Sequence, residues 1–362
     1  MSSAWLHNWR AAGFQNSRLF WFRSGSPARF HWRRNVAALR RFCCLICLAT
    51  LWTNVNAGSF TNILGIDFEP SESYTQHTVL HFQGGGRWRS SETIYSSGVE
   101  SLWPGLGWQA YVGSNGPTPG KDNVLERCPV TLPNPFDPVA QQTPYVSFSV
   151  LFRIEPSTQG SNDDFTWSFA TSQQGFLFLV DFDNASKLIY YETNGSAFQT
   201  PSGVRFTNSV LYRLQVDMNF SNNLWSASLN GMNITAGTVP IASPGQGFNF
   251  GYFYAGWFLA DVNAPGNNYM AFDHVRIVAG ATPPTLPPPV IQMTRSKSTG
   301  VVTNTIVTEP GLYHYLDAGT NLQSWQPFAS TYATNFSWIV KDSTAVTNRQ
   351  RFFRARATAA GP

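Results

Sequence analysis

Residues 210–234 read VLYRLQVDMNFSNNLWSASLNGMNI, and this stretch decides the fold. Tyr212, Leu214, Val216, Met218 and Phe220 alternate with Arg213, Gln215, Asp217 and Asn219, the period-two pattern of a strand with one face in a core. Ser221, Asn222 and Asn223 supply a turn, because Asn tolerates a left-handed backbone and Ser bonds its own main chain. Trp225, Ala227 and Leu229 resume the inward row, and Asn230-Gly231 closes the second strand with another tight-turn dipeptide. The stretch is an antiparallel hairpin.

The pattern recurs outward from the hairpin. Upstream, Val146, Phe148, Val150, Phe152 and Ile154 form one inward row, Phe165, Trp167 and Phe169 another, and Phe176, Phe178, Val180 and Phe182 a third, followed by Lys187 to Tyr191 after an Asp183-Asn184 turn. Downstream lie Phe248 to Trp257 and Met270 to Val278, and Ile63 to Phe68 opens the series. Residues 113 to 144 hold seven prolines and predict a long irregular excursion. Nothing between residues 58 and 280 sustains a helical period. Short strands punctuated by turn signals predict an all-β sandwich or jelly roll.

Composition agrees. Charged residues make up 12% of the 362 and aromatics 15%, a balance that favours strands over helices or disorder. The first 57 residues hold eight Arg and no acid, leaving 16 basic against 20 acidic residues beyond them. A mildly acidic chain lacks the clustered cations that phosphate neutralisation needs, so nucleic acid is not expected as a partner.

Residues 1–57 read as an export leader. Arg40-Arg41 precede the apolar run Phe42 to Trp52, and Val55-Asn56-Ala57 offers small residues for cleavage after Ala57. The run is too short for a membrane span, which needs about 20 apolar residues. The mature chain is therefore expected in the periplasm, on the cell surface or outside, with no transmembrane segment. Cys43, Cys44 and Cys47 depart with the leader, so Cys128 alone remains and no internal disulfide is expected.

Ile66-Asp67-Phe68-Glu69, Ser228-Leu229-Asn230-Gly231 and Ala271-Phe272-Asp273-His274-Val275-Arg276-Ile277 together resemble the concanavalin A-like, laminin-G-like jelly rolls of secreted bacterial proteins. The resemblance spans 58–279 and implies two curved antiparallel sheets with first and last strands adjacent. A proline-rich linker follows at 280–289, expected to be extended and to hold two folded units apart. Beyond it, residues 290–362 carry Thr320-Asn321-Leu322-Gln323-Ser324-Trp325 and Arg351-Phe352-Phe353-Arg354, and resemble the small C-terminal β-domain of the TNLxxW…RFFR type appended to exported Gram-negative proteins. Trp325 and Phe353 are expected in its core.

The resembled family includes lectins, glucanases, lyases and adhesive modules, and fold alone cannot choose among them. Its retaining glucanases place carboxylates as Glu-x-Asp-x-(x)-Glu on one strand, and none of the eight Glu here has Asp two places later. Esterase elbows, zincin helices and phosphate loops are also missing from the sequence. His77 and His81, four apart, lack further metal ligands nearby in the sequence.

The expected function is therefore non-catalytic binding of carbohydrate or another extracellular polymer, in the manner of a lectin. A structural or adhesive surface module with a protein partner, or a divergent glycoside hydrolase or polysaccharide lyase, are the alternatives. Trp88, Trp103 and Trp108 in Gly-rich surroundings, Arg87 and Arg89 beside the first, and Tyr252 and Tyr254 on one strand face are the candidate ligand residues, since rings meet sugar C–H faces and charged groups meet hydroxyls. The resemblance also implies a structural calcium held between first and last strands, at Asp67, Glu69 and Asp273.

Overall fold

The structure, a computed structural model, describes residues 60–358 apart from 82, 87, 91–96, 114–122, 128–135, 195, 197–198, 244–248, 262, 285–288 and 345–349. Residues 1–57, read from the sequence as a leader cleaved after Ala57, Arg87 and Cys128 lie outside the described residues.

The chain is all-β and multi-sheet. One sheet runs β13 (Met232–Asn233), β12 (Leu224–Leu229), β11 (Tyr212–Asn219), β6 (Tyr145–Glu155), β16 (Tyr269–Gly280), β4 (Gln109–Gly113), β3 (Ser97–Glu100). Off this path, β1 (Thr61–Ile66) pairs with β16, and β14 (Val239–Pro240) with β12. The second sheet runs β10 (Thr200–Arg205), β9 (Leu188–Thr193), β8 (Phe176–Asp183), β7 (Asp164–Ala170), β15 (Tyr252–Phe258), β5 (Asn123–Arg127), β2 (Trp88–Ser90).

The hairpin of residues 210–234 forms as its alternation requires. Met218 pairs with Trp225 and Leu214 with Leu229, and both Asn223 and Asn230 take the left-handed backbone that Asn tolerates. The opening strand lies beside the closing one, Ile66 against Val275. The stretch read as irregular contains a strand after all, β5, whose five residues bridge β15 and β2. Proline spacing hid it, because Val124 and Leu125 are too short a run to show a period.

The inward rows of the two sheets meet in one aromatic core. Phe178 stacks on Trp225 at 4.1 Å and on Phe169 at 4.7 Å, while Phe148 meets Trp167 at 5.5 Å. Offset and edge-to-face ring pairs of this kind each add about 0.5–1.5 kcal/mol beyond the area they bury.

Beyond β16 the chain forms two three-stranded sheets. One is β17 (Ile291–Arg295), β18 (Val302–Val307), β21 (Ser337–Asp342); the other is β20 (Gln326–Tyr332), β19 (Tyr313–Gly319), β22 (Phe352–Thr358). The proline-rich segment does not hold this part away from the sandwich. Buried Arg213, on the outward face of β11, pairs with Glu309 at 2.6 Å, Tyr332 donates its hydroxyl proton to Leu211 O at 3.3 Å, and His274 meets Phe336 at 4.5 Å. Gly311, with φ of 82°, sits so close that an added Cβ would fall 2.7 Å from Arg213 Cβ and 2.8 Å from Leu151 Cδ2. The contact follows from burying an outward Arg and Leu that the strand pattern alone marks as solvent-facing. Trp325 and Phe353 are half-buried at the module's surface, outside its core.

Candidate functional site

Register places the chemistry on the outward face of the second sheet. Two cross-strand rows follow from the pairings. The first joins Arg89, through the backbone of Glu126, to Tyr254, Ser168, Leu179 and Glu192. The second runs Gly256, Thr166, Asp181, Tyr190 and Pro201; beside it Phe258 pairs with Asp164, and Leu188 pairs with Asp183 on one side and Arg205 on the other. Neighbouring strands lie about 4.8 Å apart, so these groups share one surface. Gly256 lets the Phe258 ring and Thr166 Oγ1 close over its backbone, each 2.6 Å from where an added Cβ would sit.

Burial sets the electrostatics of this face. Asp181, 8% exposed, is pushed up to about 8 chiefly by burial, with Asp164 and Asp183 adding like-charge repulsion against a hydrogen bond from Gln199. Burial also raises Asp164 to about 6, partly offset by the Asn184 N–H donating to its Oδ1 at 2.9 Å. The Glu192 carboxyl is raised by burial as well. Asp183 is a turn residue: its oxygens accept from Ala185 N, Ser186 N and Ser186 Oγ at 2.7–3.0 Å. The face thus presents a carboxyl that keeps its proton at neutral pH, with Glu192 diagonal to it across β8 and β9.

The expected ligand residues divide. Tyr252 and Tyr254 stand two apart on the outward face of β15, rings 6.2 Å from each other, with Tyr252 largely buried and Tyr254 half-buried. Arg89 is exposed at the same sheet's edge, in the row of Tyr254. Trp88 is no ligand platform: it is fully buried (0% exposed), packs edge-on to Phe253 at 5.8 Å, and donates its Nε1 proton to Tyr74 Oη at 2.8 Å. Alternation sends neighbouring Trp88 and Arg89 to opposite faces. Trp103 is likewise buried, in a cluster with Leu106, Leu151 and Ala271 on the other sheet's outer side. Trp108 is half-buried against the main core. The three tryptophans therefore form no common surface with the tyrosines.

The expected metal set divides too. Asp67, Asp273 and His274 offer ligand atoms within 4.8 Å of one another, a cluster that can hold a metal ion. Glu69 does not join it: Glu69 Oε1 accepts from Trp108 N at 3.1 Å, and its carboxylate fills the space over Gly107. The cluster is not specific to calcium, which takes six to eight oxygens, since an imidazole supplies one of its three side-chain donors. Neighbouring side chains already serve the cluster. Burial would raise the Asp67 carboxyl, but His274 at 2.7 Å and Arg276 together hold it at about 2. Burial pushes Asp273 up to about 8, against a hydrogen bond from His274 N. His77 and His81 part company, His77 Nδ1 lying 2.9 Å from Glu100 and His81 Nδ1 accepting from Ser90 N.

Sequence reasoning missed Asp164, Asp181, Tyr190 and Glu192. Asp181 and Asp183 stand two apart on a strand whose other positions are apolar, a signal in the sequence that a Glu-x-Asp pattern does not include.

Among the described residues no helix is long and apolar enough to cross a membrane. No family model and no curated protein matches this chain. Among solved structures it is similar to a sialidase (9% identity, TM-score 0.40, 60% of this chain) and to a carbohydrate esterase from a Shiga toxin-encoding bacteriophage (14%, 0.41, 61% of this chain and 99% of that one). It is also similar to the carbohydrate recognition domain of Emp47p (10%, 0.40, 63% of this chain and 100% of that one). The chain spans 18% of the sialidase's length. At these scores and identities the likeness carries no inference about activity.

Proposed function

We propose that this chain is an exported glycan-binding protein, a jelly roll of the concanavalin A-like kind, whose site is the outward face of the second sheet. One observation carries the reading: half-buried rings of Tyr190 and Tyr254, with exposed Phe258, share that face with Asp181, Glu192 and Arg89. Rings take the apolar faces of sugars, and carboxyls and a guanidinium take their hydroxyls. The C-terminal module packs on the other sheet and leaves this face free of it. The test is a polysaccharide pull-down with the full chain beside Tyr254→Ala and Tyr190→Ala. Retention that both substitutions weaken supports the reading, and retention unchanged in both refutes it.

A second reading rests on the protonation of Asp181. A carboxylic acid that keeps its proton at neutral pH can deliver it to a glycosidic oxygen, while Glu192 takes a proton from the attacking water; the two products are a free reducing end and the leaving alcohol. Directly paired and diagonal neighbours on adjacent strands lie about 5–8 Å apart, within reach of one sugar ring. Release of reducing ends by the wild-type chain, abolished in Asp181→Asn, supports hydrolysis; intact bound glycan supports binding alone.

A further inference from the structure

We propose that the exposed face of the β20–β19–β22 sheet binds the acidic groups of an anionic polysaccharide, through Arg354 and Arg356. The two arginines stand two apart on β22, so their side chains leave the sheet on one side, about 7 Å apart along the strand. They are 51% and 49% exposed, and both direct Nε at one oxygen of Asp317, at 3.0 and 3.3 Å. Asp317 is only 4% exposed, so the carboxylate sits below the arginines and anchors them from beneath. Each guanidinium also lies on a ring: Arg356 is 3.9 Å from the centroid of Tyr315, and Arg354 is 4.7 Å from that of Trp325. Trp325 is itself fixed, donating its Nε1 proton to Leu322 O at 3.2 Å.

This arrangement is prepared for a ligand. Two long side chains that would ordinarily lose rotamer freedom on binding are already held, which removes much of that cost. With Nε committed, the Nη atoms of both arginines make no hydrogen bond to any described residue. One carboxylate faces two guanidiniums, so one positive charge is uncompensated. Paired N–H groups in a planar fork match carboxylate and sulfate oxygens. Two forks in line along a strand fit a chain that repeats its acid groups. Nucleic acid is disfavoured, because residues 58–362 carry 16 basic against 20 acidic side chains and phosphate tracks require many cations.

The inference does not rest on the site of the second sheet, and Tyr254→Ala should leave it untouched. The experiment is calorimetric titration of the full chain with oligogalacturonate, dextran sulfate, uncharged dextran and single-stranded DNA. Binding of the two acidic polymers but not of dextran is expected, at least tenfold weaker in Arg354→Gln/Arg356→Gln. Arg354→Lys/Arg356→Lys, which keeps the charge and loses the fork, should fall between. Asp317→Asn separates positioning from charge: it makes the face more positive yet should weaken binding. No binding by the folded chain, binding equal in the glutamine variant, tighter binding in Asp317→Asn, or preference for DNA would each overturn the proposal. A thermal melt of every variant shows which are folded, and the lysine variant keeps the test decisive where another is not.

Discussion

Replacing Trp88 by Ala separates a core tryptophan from a sugar platform. The ring is fully buried between Phe68, Phe253 and Phe272, with centroids 5.8–6.0 Å away. Truncating a buried Trp in such a site costs about 3–5 kcal/mol through lost transfer energy and the cavity left behind. Tyr74 also loses the donor at its hydroxyl, worth about 1 kcal/mol or more if no water replaces it. Domains of this kind are stable by only about 5–15 kcal/mol, so Trp88→Ala should move the urea midpoint far down and shift the thermal midpoint by several degrees. Trp88→Phe keeps most of the packing and loses the hydrogen bond, so a loss of about 1–3 kcal/mol is expected. Both are measured by equilibrium urea unfolding followed by tryptophan fluorescence. A Trp88→Ala protein within about 1 kcal/mol of wild type, yet impaired in glycan retention, would refute the burial argument and restore Trp88 as a ligand residue.

Glu309→Gln should leave the Arg213 guanidinium buried and without its counter-charge, at a cost of about 1–3 kcal/mol, and should hasten proteolysis in the proline-rich segment; an unchanged cleavage rate contradicts the docking described. Gly107→Ala places a Cβ against the Glu69 carboxylate at a φ of 74°, and a loss of about 1–3 kcal/mol is expected in thermal unfolding. The pH dependence follows from Asp181. Its folded pKa, about 8, lies above the ordinary carboxyl value of 3.8, so between these values the folded state holds a proton that the unfolded state has released. That stabilisation is complete below about 4 and is lost as pH rises through about 8. Asp181→Asn should therefore flatten the fall in urea midpoint between pH 4 and 8, and an unchanged slope would contradict the assigned burial. Asp67, held at about 2, acts oppositely and loses its contribution only as pH falls through that value.

Much of the sandwich was legible because alternation is a local property. Val146 to Ile154 and the hairpin from Tyr212 to Leu229 each carry enough inward positions to fix both the strand and the face. The site was less so. Trp88 beside Gly84–Gly86 has the same local sequence whether its ring covers backbone or faces solvent, and the deciding neighbours, Phe253 and Phe272, are far away in sequence. Asp181 and Glu192 become neighbours only through the β8–β9 register, and the pressure on Asp181 arises from strands packed around it. The docking of the C-terminal module was hidden for a related reason. Leu151 and Arg213 sit at outward positions, and they are covered by groups distant in sequence: Trp103 and Gly311 over the first, Gly311 and Glu309 over the second.

The placement of the glycan site on the second sheet is tested most directly by hydrogen exchange with and without a retained oligosaccharide. The account predicts added protection confined to β8, β9 and β15, around Asp181, Tyr190 and Tyr254, with none in the loop from Trp103 to Trp108. Protection at that loop, with β8, β9 and β15 unchanged, would contradict it.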